Sequence, residues 1–211
     1  MSFEEVIRYV STASILLPAS LSLFRLRPML SRYPALLGYL GVTVVVEGCG
    51  TVLLLQGARD TTQVYALYPI FEFGLLSLLY YKAVPDRAFQ WMILALNALF
   101  IPLVLYRLQT VTASWDGLLY VFENIPLVLL ALLFFYRLLN TLEATNLFRF
   151  PMFWFSTGIL IYFSGTLFVY MFSSYIVTAE NYLTLRDLWS LTTYLNIVFH
   201  LVLSVGIWHT R

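Results

Sequence analysis

The sequence predicts a single all-α domain, a polytopic membrane protein built as a bundle of seven transmembrane helices. Three observations carry that expectation. Seven apolar stretches, each near the roughly 20 residues that span a bilayer, follow one another along the chain. The composition is 61% hydrophobic and 11% charged over 211 residues, which suits a chain solvated by lipid rather than water. Four stretches carry a polar residue near the middle at almost constant spacing: Glu47, Glu72, Asn97 and Glu123.

The first helix is placed at 6–24, from Val6 to Phe24. The acidic start Met1-Ser2-Phe3-Glu4-Glu5 is unlike a basic leader, so this segment is read as retained. The second, 34–56, begins at a proline, whose missing N–H does no harm in a first turn, and ends at Gln56. The third runs over 63–81, the fourth over 88–106 and the fifth over 117–136. The sixth, 150–174, opens on the aromatic run Phe148 to Phe155, an interfacial anchor. The seventh covers 187–208. Pro18, Pro69, Pro102 and Pro126 fall within spans and are candidate kinks, whose freed carbonyls need a neighbouring helix, a hydroxyl or water. Connections are short, the longest around 138–148 and 175–186, with no room for a soluble catalytic or receptor domain.

Lys and Arg are distributed unequally between the two sets of loops. Arg25, Arg27, Arg32, Lys82, Arg87, Arg137, Arg149 and Arg211 fall on one side, against Arg8, Arg59, Arg107 and Arg186 on the other. The positive-inside bias therefore predicts an outer N-terminus and a cytoplasmic C-terminus. A net charge of +1 offers no basic surface for nucleic acid. Cys49 stands alone, so neither an intrachain disulfide nor a cysteine-based zinc motif is expected.

A charged side chain at a helix centre costs roughly 2.5 to 3.5 kcal/mol on insertion scales. Glu47, Glu72 and Glu123 are therefore expected to face a shared polar cavity. Helical spacing aligns Glu47 with Thr43, Gly50 and Thr51, Glu72 with Tyr65 and Tyr68, and Glu123 with Tyr120 and Asp116. Asn97 has Gln90 two turns away, helix 7 carries Trp189, Thr192, Thr193, Asn196, His200 and Ser204 on one stripe, and helix 1 offers Ser11, Ser14, Pro18 and Ser22. The bland explanation is interhelical glue, modest hydrogen bonds between close-packed helices. It suits the hydroxyl stripes, and His200 alone reads as a satisfied core histidine. Asn97 and Asn196 serve either purpose. Glutamine would supply the same bonds without an ionisable group, so the three glutamates favour function.

Removal from water favours the neutral form of a carboxyl, so these groups suit a proton relay or a cation site. The ligand- or proton-binding set expected from sequence is Glu47, Glu72, Asn97, Glu123, Asn196, His200, Tyr68 and Tyr120. A metal centre from Glu47, Glu72, Glu123 and His200 would draw on four helices without diagnostic local spacing, and none is assigned. No catalytic residue is assigned either, since no Gly-x-Ser-x-Gly elbow occurs. On the sixth helix, Gly158, Tyr162, Gly165 and Phe172 share a face suited to packing a helix or cradling an apolar ligand.

The layout is similar in topology to rhodopsins and G-protein-coupled receptors. Rhodopsins carry a helix 7 lysine for the retinal Schiff base, whereas the one lysine here is Lys82, at the end of helix 3, so covalent retinal is excluded. Tyr194-Leu195-Asn196-Ile197, His200, Gly206-Ile207-Trp208 and Phe163-Ser164-Gly165 together resemble small uncharacterised bacterial seven-helix membrane proteins. That resemblance implies architecture and carries no catalytic role. The expected partners are the bilayer, a small ligand, lipid or proton, and a separate signalling protein. The expected function is a sensor or receptor-like module, with a proton-coupled small-solute transporter and an intramembrane lipid hydrolase as alternatives.

Overall fold

The computed structural model describes residues 3–58, 61–109, 116–141, 146–176 and 182–210, with the side chains of 3–5, 62, 116–117, 141, 172–176 and 182–189 left out. The expectations placed on Arg59 and Arg211, and on the side chains of Asp116, Phe172, Arg186 and Trp189, lie outside the described residues. The described residues are helical with short connections, and seven helical stretches among them are long and apolar enough to cross a membrane.

The first span is broken once, and a second break follows its end. Helix α1 (Phe3–Ser14) stops one residue short of α2 (Leu16–Phe24), and α3 (Leu26–Arg32) follows after a second break at Arg25. Pro18 explains the first break. It lacks the N–H that would bond the Ser14 carbonyl four residues back, and its ring crowds that carbonyl. The second span, α4 (Pro34–Leu55), starts on its proline. It ends in a Schellman turn: Gly57 takes φ +86°, its N–H reaches Leu54 O at 3.0 Å, and Ala58 N–H reaches Leu53 O at 3.0 Å.

The expected single helix at 63–81 is instead a short turn, α5 (Thr62–Tyr65), and a main helix, α6 (Tyr68–Ala83). Pro69 opens α6 in its first turn and so initiates a helix rather than kinking one. Pro102 and Pro126, by contrast, lie inside continuous helices, α7 (Arg87–Gln109) and α8 (Asp116–Thr141). Asp86 caps α7, its Oδ1 accepting the Phe89 N–H at 3.0 Å, and its Oδ2 pairs with Arg137 Nη2 of α8 at 2.6 Å. A 3-10 turn (Leu147–Arg149) leads into α9 (Pro151–Ile176), and α10 (Tyr182–Trp208) completes the chain.

Helix contacts define a ring: α1 and α2 against α10, then α9, α8, α6 and α4, which closes on α2. Helix α7 lies outside it, against α6 and α8. Trp91 and Leu99 on its outer face are 71% and 73% exposed, which leaves α7 one packed side only.

The closest seam joins α9 to α10, and glycines make it. A Cβ on Gly158 would meet Phe199 at 3.1 Å, one on Gly165 would meet Leu195 at 2.6 Å, and one on Gly206 would overlap the Phe155 ring. Without a hydrophobic drive between helices in lipid, such close approach is what van der Waals association needs. The Gly158–Gly165 face thus packs a helix.

The half of the ring nearer the C-terminus is filled by Leu36, Leu40, Leu76, Phe155, Ile159, Leu203 and Ile207, all fully buried. Toward the other end α4 loosens: beyond Thr43 it buries only Gly50.

Candidate functional site

Glu72 lies on the inner face of α6 and is 6% exposed. Tyr68, one turn earlier on the same helix, donates its hydroxyl to Glu72 Oε1 at 3.1 Å. Tyr39 of α4 donates to the same oxygen at 3.4 Å. Thr43, one turn along α4, donates to Tyr39 O at 2.9 Å and stands 3.2 Å from the Tyr68 hydroxyl. Two phenols on two helices therefore orient one carboxyl.

Glu123 faces the same interior from α8 and lies within electrostatic reach of Glu72. It is 1% exposed, and among the described residues neither of its buried carboxyl oxygens has a hydrogen-bond partner. Tyr162 and Tyr170 of α9 lie within electrostatic range of both carboxyls. Tyr162 stacks on Phe199 with centroids 4.9 Å apart, Phe199 meets Tyr39 at 6.2 Å, and Tyr170 stacks on Tyr120 at 4.4 Å. An aromatic wall thus surrounds the two carboxyls. Beside Glu123, Asn124 and Thr166 meet at 2.9 Å and tie α8 to α9.

Glu47 lies farther toward the N-terminal face and is half-buried. Its partner is the Tyr65 hydroxyl at 3.4 Å, with Thr12 of α1 beside it. Helical spacing aligns Tyr65 with Glu72, but the break at 66–67 turns Tyr65 toward α4. Gly50 makes room there, since a Cβ on it would stand 2.5 Å from the Tyr65 hydroxyl. Glu47 still senses Glu72, so a row of polar groups descends from Glu47 and Tyr65 through Tyr68 to the carboxyl pair.

The remaining expected residues lie at helix seams. Asn97 is on α7, outside the ring, where its Nδ2 donates to Ser77 Oγ of α6 at 2.8 Å and to Ile93 O at 2.9 Å. Gln90 turns instead to Tyr81 O at 3.2 Å. Asn196 and His200 face α1: Asn196 Nδ2 donates to Ser11 Oγ at 3.1 Å, Ser11 donates to Thr193 O at 3.3 Å, and Ser14 Oγ meets His200 Nδ1 at 2.7 Å. Ser14 also donates to Ser11 O at 2.6 Å, which gives Nδ1 the proton and leaves His200 Nε2 a buried acceptor without a donor. The hydroxyl stripes of helices 1 and 7 are thus two sides of one seam, and Phe199 separates it from the carboxyl pair.

Sequence reasoning did not single out Tyr39, Tyr170 or Asn124. Tyr39 was within reach: it lies one turn before Thr43 on the face already assigned to Glu47. Tyr170 was not, because its meeting with Tyr120 depends on which helices are neighbours. Among the described residues no three His, Cys, Asp or Glu side chains converge to hold a metal ion. Comparison with protein-family models, with curated proteins and with solved structures finds no match to this chain.

Proposed function

We propose that this protein is an integral-membrane sensor or receptor-like module that binds a proton or a small donor-bearing ligand between Glu123 and Glu72 and signals through a separate partner. The single observation that carries the reading is the pair of unpartnered Glu123 oxygens in a fully buried site. A buried acceptor without a donor costs about 1 to 3 kcal/mol, more if charged. A proton removes the charged part of that cost, and a cation or an ammonium-bearing ligand supplies the missing partner. The lysine and arginine bias supports an outer N-terminus, so that the half-buried Glu47 and Tyr65 stand on the outer side, in a bacterial plasma membrane.

A second reading, a proton-coupled small-solute transporter, is favoured by the difference between the two ends of the ring. Polar groups lead toward the carboxyls from the N-terminal side, and close apolar packing seals the other. Alternating access requires such an asymmetric state and its inverse.

The test uses the proton as its own probe. Infrared difference spectra of the full chain in lipid are expected to show a carboxyl C=O band that changes across about pH 5 to 9. Glu123→Gln should remain folded and lose that band, because the amide keeps the hydrogen-bonding capacity and removes only the titratable proton. An unchanged band in both Glu123→Gln and Glu72→Gln would reduce the pair to packing. Solute flux into liposomes driven by a pH gradient would decide for the transporter.

A further inference from the structure

At the C-terminal face of the bundle, Arg25, Arg149, Trp208 and His209 line a cleft of about 400 Å³. We propose that this cleft is a binding site for the phosphodiester headgroup of an anionic phospholipid.

Three places in the fold converge to build it. Arg25 occupies the break between α2 and α3, Arg149 ends the 3-10 turn before α9, and Trp208 and His209 close α10. The depth is the first argument. The apolar spans end at Phe24 and Trp208 and begin at Pro151, so the two arginines sit one residue after one span and two residues before another. That is the level at which lipid headgroups lie.

The second argument is charge. Among the described residues the cleft lining holds no carboxylate. Arg25 is held in place: its guanidinium lies over the Trp208 ring at 5.7 Å, and Nη1 donates to Thr210 O at 3.3 Å. Among the described residues one of the five donors of this guanidinium is used, and the rest suit bidentate contact with phosphate. His209 is fixed beside it, stacked on Trp154 with centroids 6.4 Å apart and Nδ1 bonded to Val205 O at 2.8 Å. That bond makes Nδ1 the protonated nitrogen. The third argument is apolar continuity. Phe24 and Leu23, directly before Arg25, are 86% and 67% exposed and offer an acyl chain its contact on the membrane side.

Native mass spectrometry of the full chain, titrated with phosphatidylglycerol or phosphatidylcholine, measures the affinity for the first bound lipid. Phosphatidylglycerol should bind more tightly. Arg149→Gln, which breaks no side-chain hydrogen bond or ion pair among the described residues, should weaken it about fivefold, the value of one arginine near a membrane surface, and leave phosphatidylcholine unchanged. Lys82→Gln, a basic residue at the same face but outside the cleft, should have no effect. Equal losses in Arg149→Gln and Lys82→Gln would mean diffuse surface charge, and an unchanged Arg149→Gln affinity would mean no site; either overturns the proposal. Inorganic phosphate that displaces phosphatidylglycerol at millimolar levels would assign the cleft to a soluble phosphate and overturn the lipid source.

Discussion

Two glutamates of one interior are held in opposite ways. Glu72 has two phenols on a single oxygen, whereas Glu123, a helix away, has none on either. The difference arises from neighbours, since both residues follow a Phe on a helix with a Tyr one turn earlier: Tyr68 turns inward to Glu72, and Tyr120 turns to stack on Tyr170. A third carboxylate, Asp86, shows what full satisfaction does outside the membrane. The Arg137 guanidinium, and after it the Phe89 amide, hold its carboxyl below the usual aspartate range. Its contribution to stability is therefore fully present above the unfolded-state value and is lost as pH falls through the depressed folded value. Thermal unfolding of wild type should weaken with acid in that window, and Asp86→Asn should flatten the dependence. Asn still caps α7, so Asp86→Ala should lower the melting temperature further than Asp86→Asn at neutral pH. Equal losses would mean that the cap contributes nothing.

At the scale of elements, the α9–α10 seam concentrates the close packing. Gly206 faces Phe155, a fully buried ring that cannot retreat, whereas Gly165 faces the ends of Leu195, a half-buried chain that can. Gly206→Ala should therefore cost about 1 to 3 kcal/mol as overpacking. Gly165→Ala should cost less. Reversible unfolding in detergent micelles orders the two, and the reverse order would show that the seam yields at α9 rather than at Leu195. The two proline breaks differ in the same physical way. Pro18 interrupts a helix whose next turn resumes at once, while Pro69 opens a new helix, and the two unbonded residues before it, 66–67, redirect Tyr65 from Glu72 to Glu47.

For the whole molecule, seven crossings would place the termini on opposite faces, and the charge bias predicts which is which. A C-terminal reporter active only in the cytoplasm should work, and one active only outside should not. The opposite result would move the phosphate cleft to the outer leaflet and the polar row to the inner side. Ring order also sets what each polar residue can reach. Helix α7 carries Asn97 at the same spacing as the other central polar residues, yet it packs outside the ring and spends that amide on Ser77.

The seven spans were legible in the sequence because crossing a bilayer is a local property: transfer free energy summed over about 20 residues does not depend on which helix comes next. The phase of Tyr68 against Glu72 was legible for the same reason, since both lie on one helix a turn apart. Helical phase, however, fixes a direction only about a helix's own axis. Which faces meet is decided by packing among all seven, through glycine seams, proline breaks and the exclusion of α7. Tertiary structure alone therefore paired Tyr39 with Glu72, joined the serines of α1 to Asn196 and His200, gave Glu47 its own tyrosine, and left Glu123 without a donor.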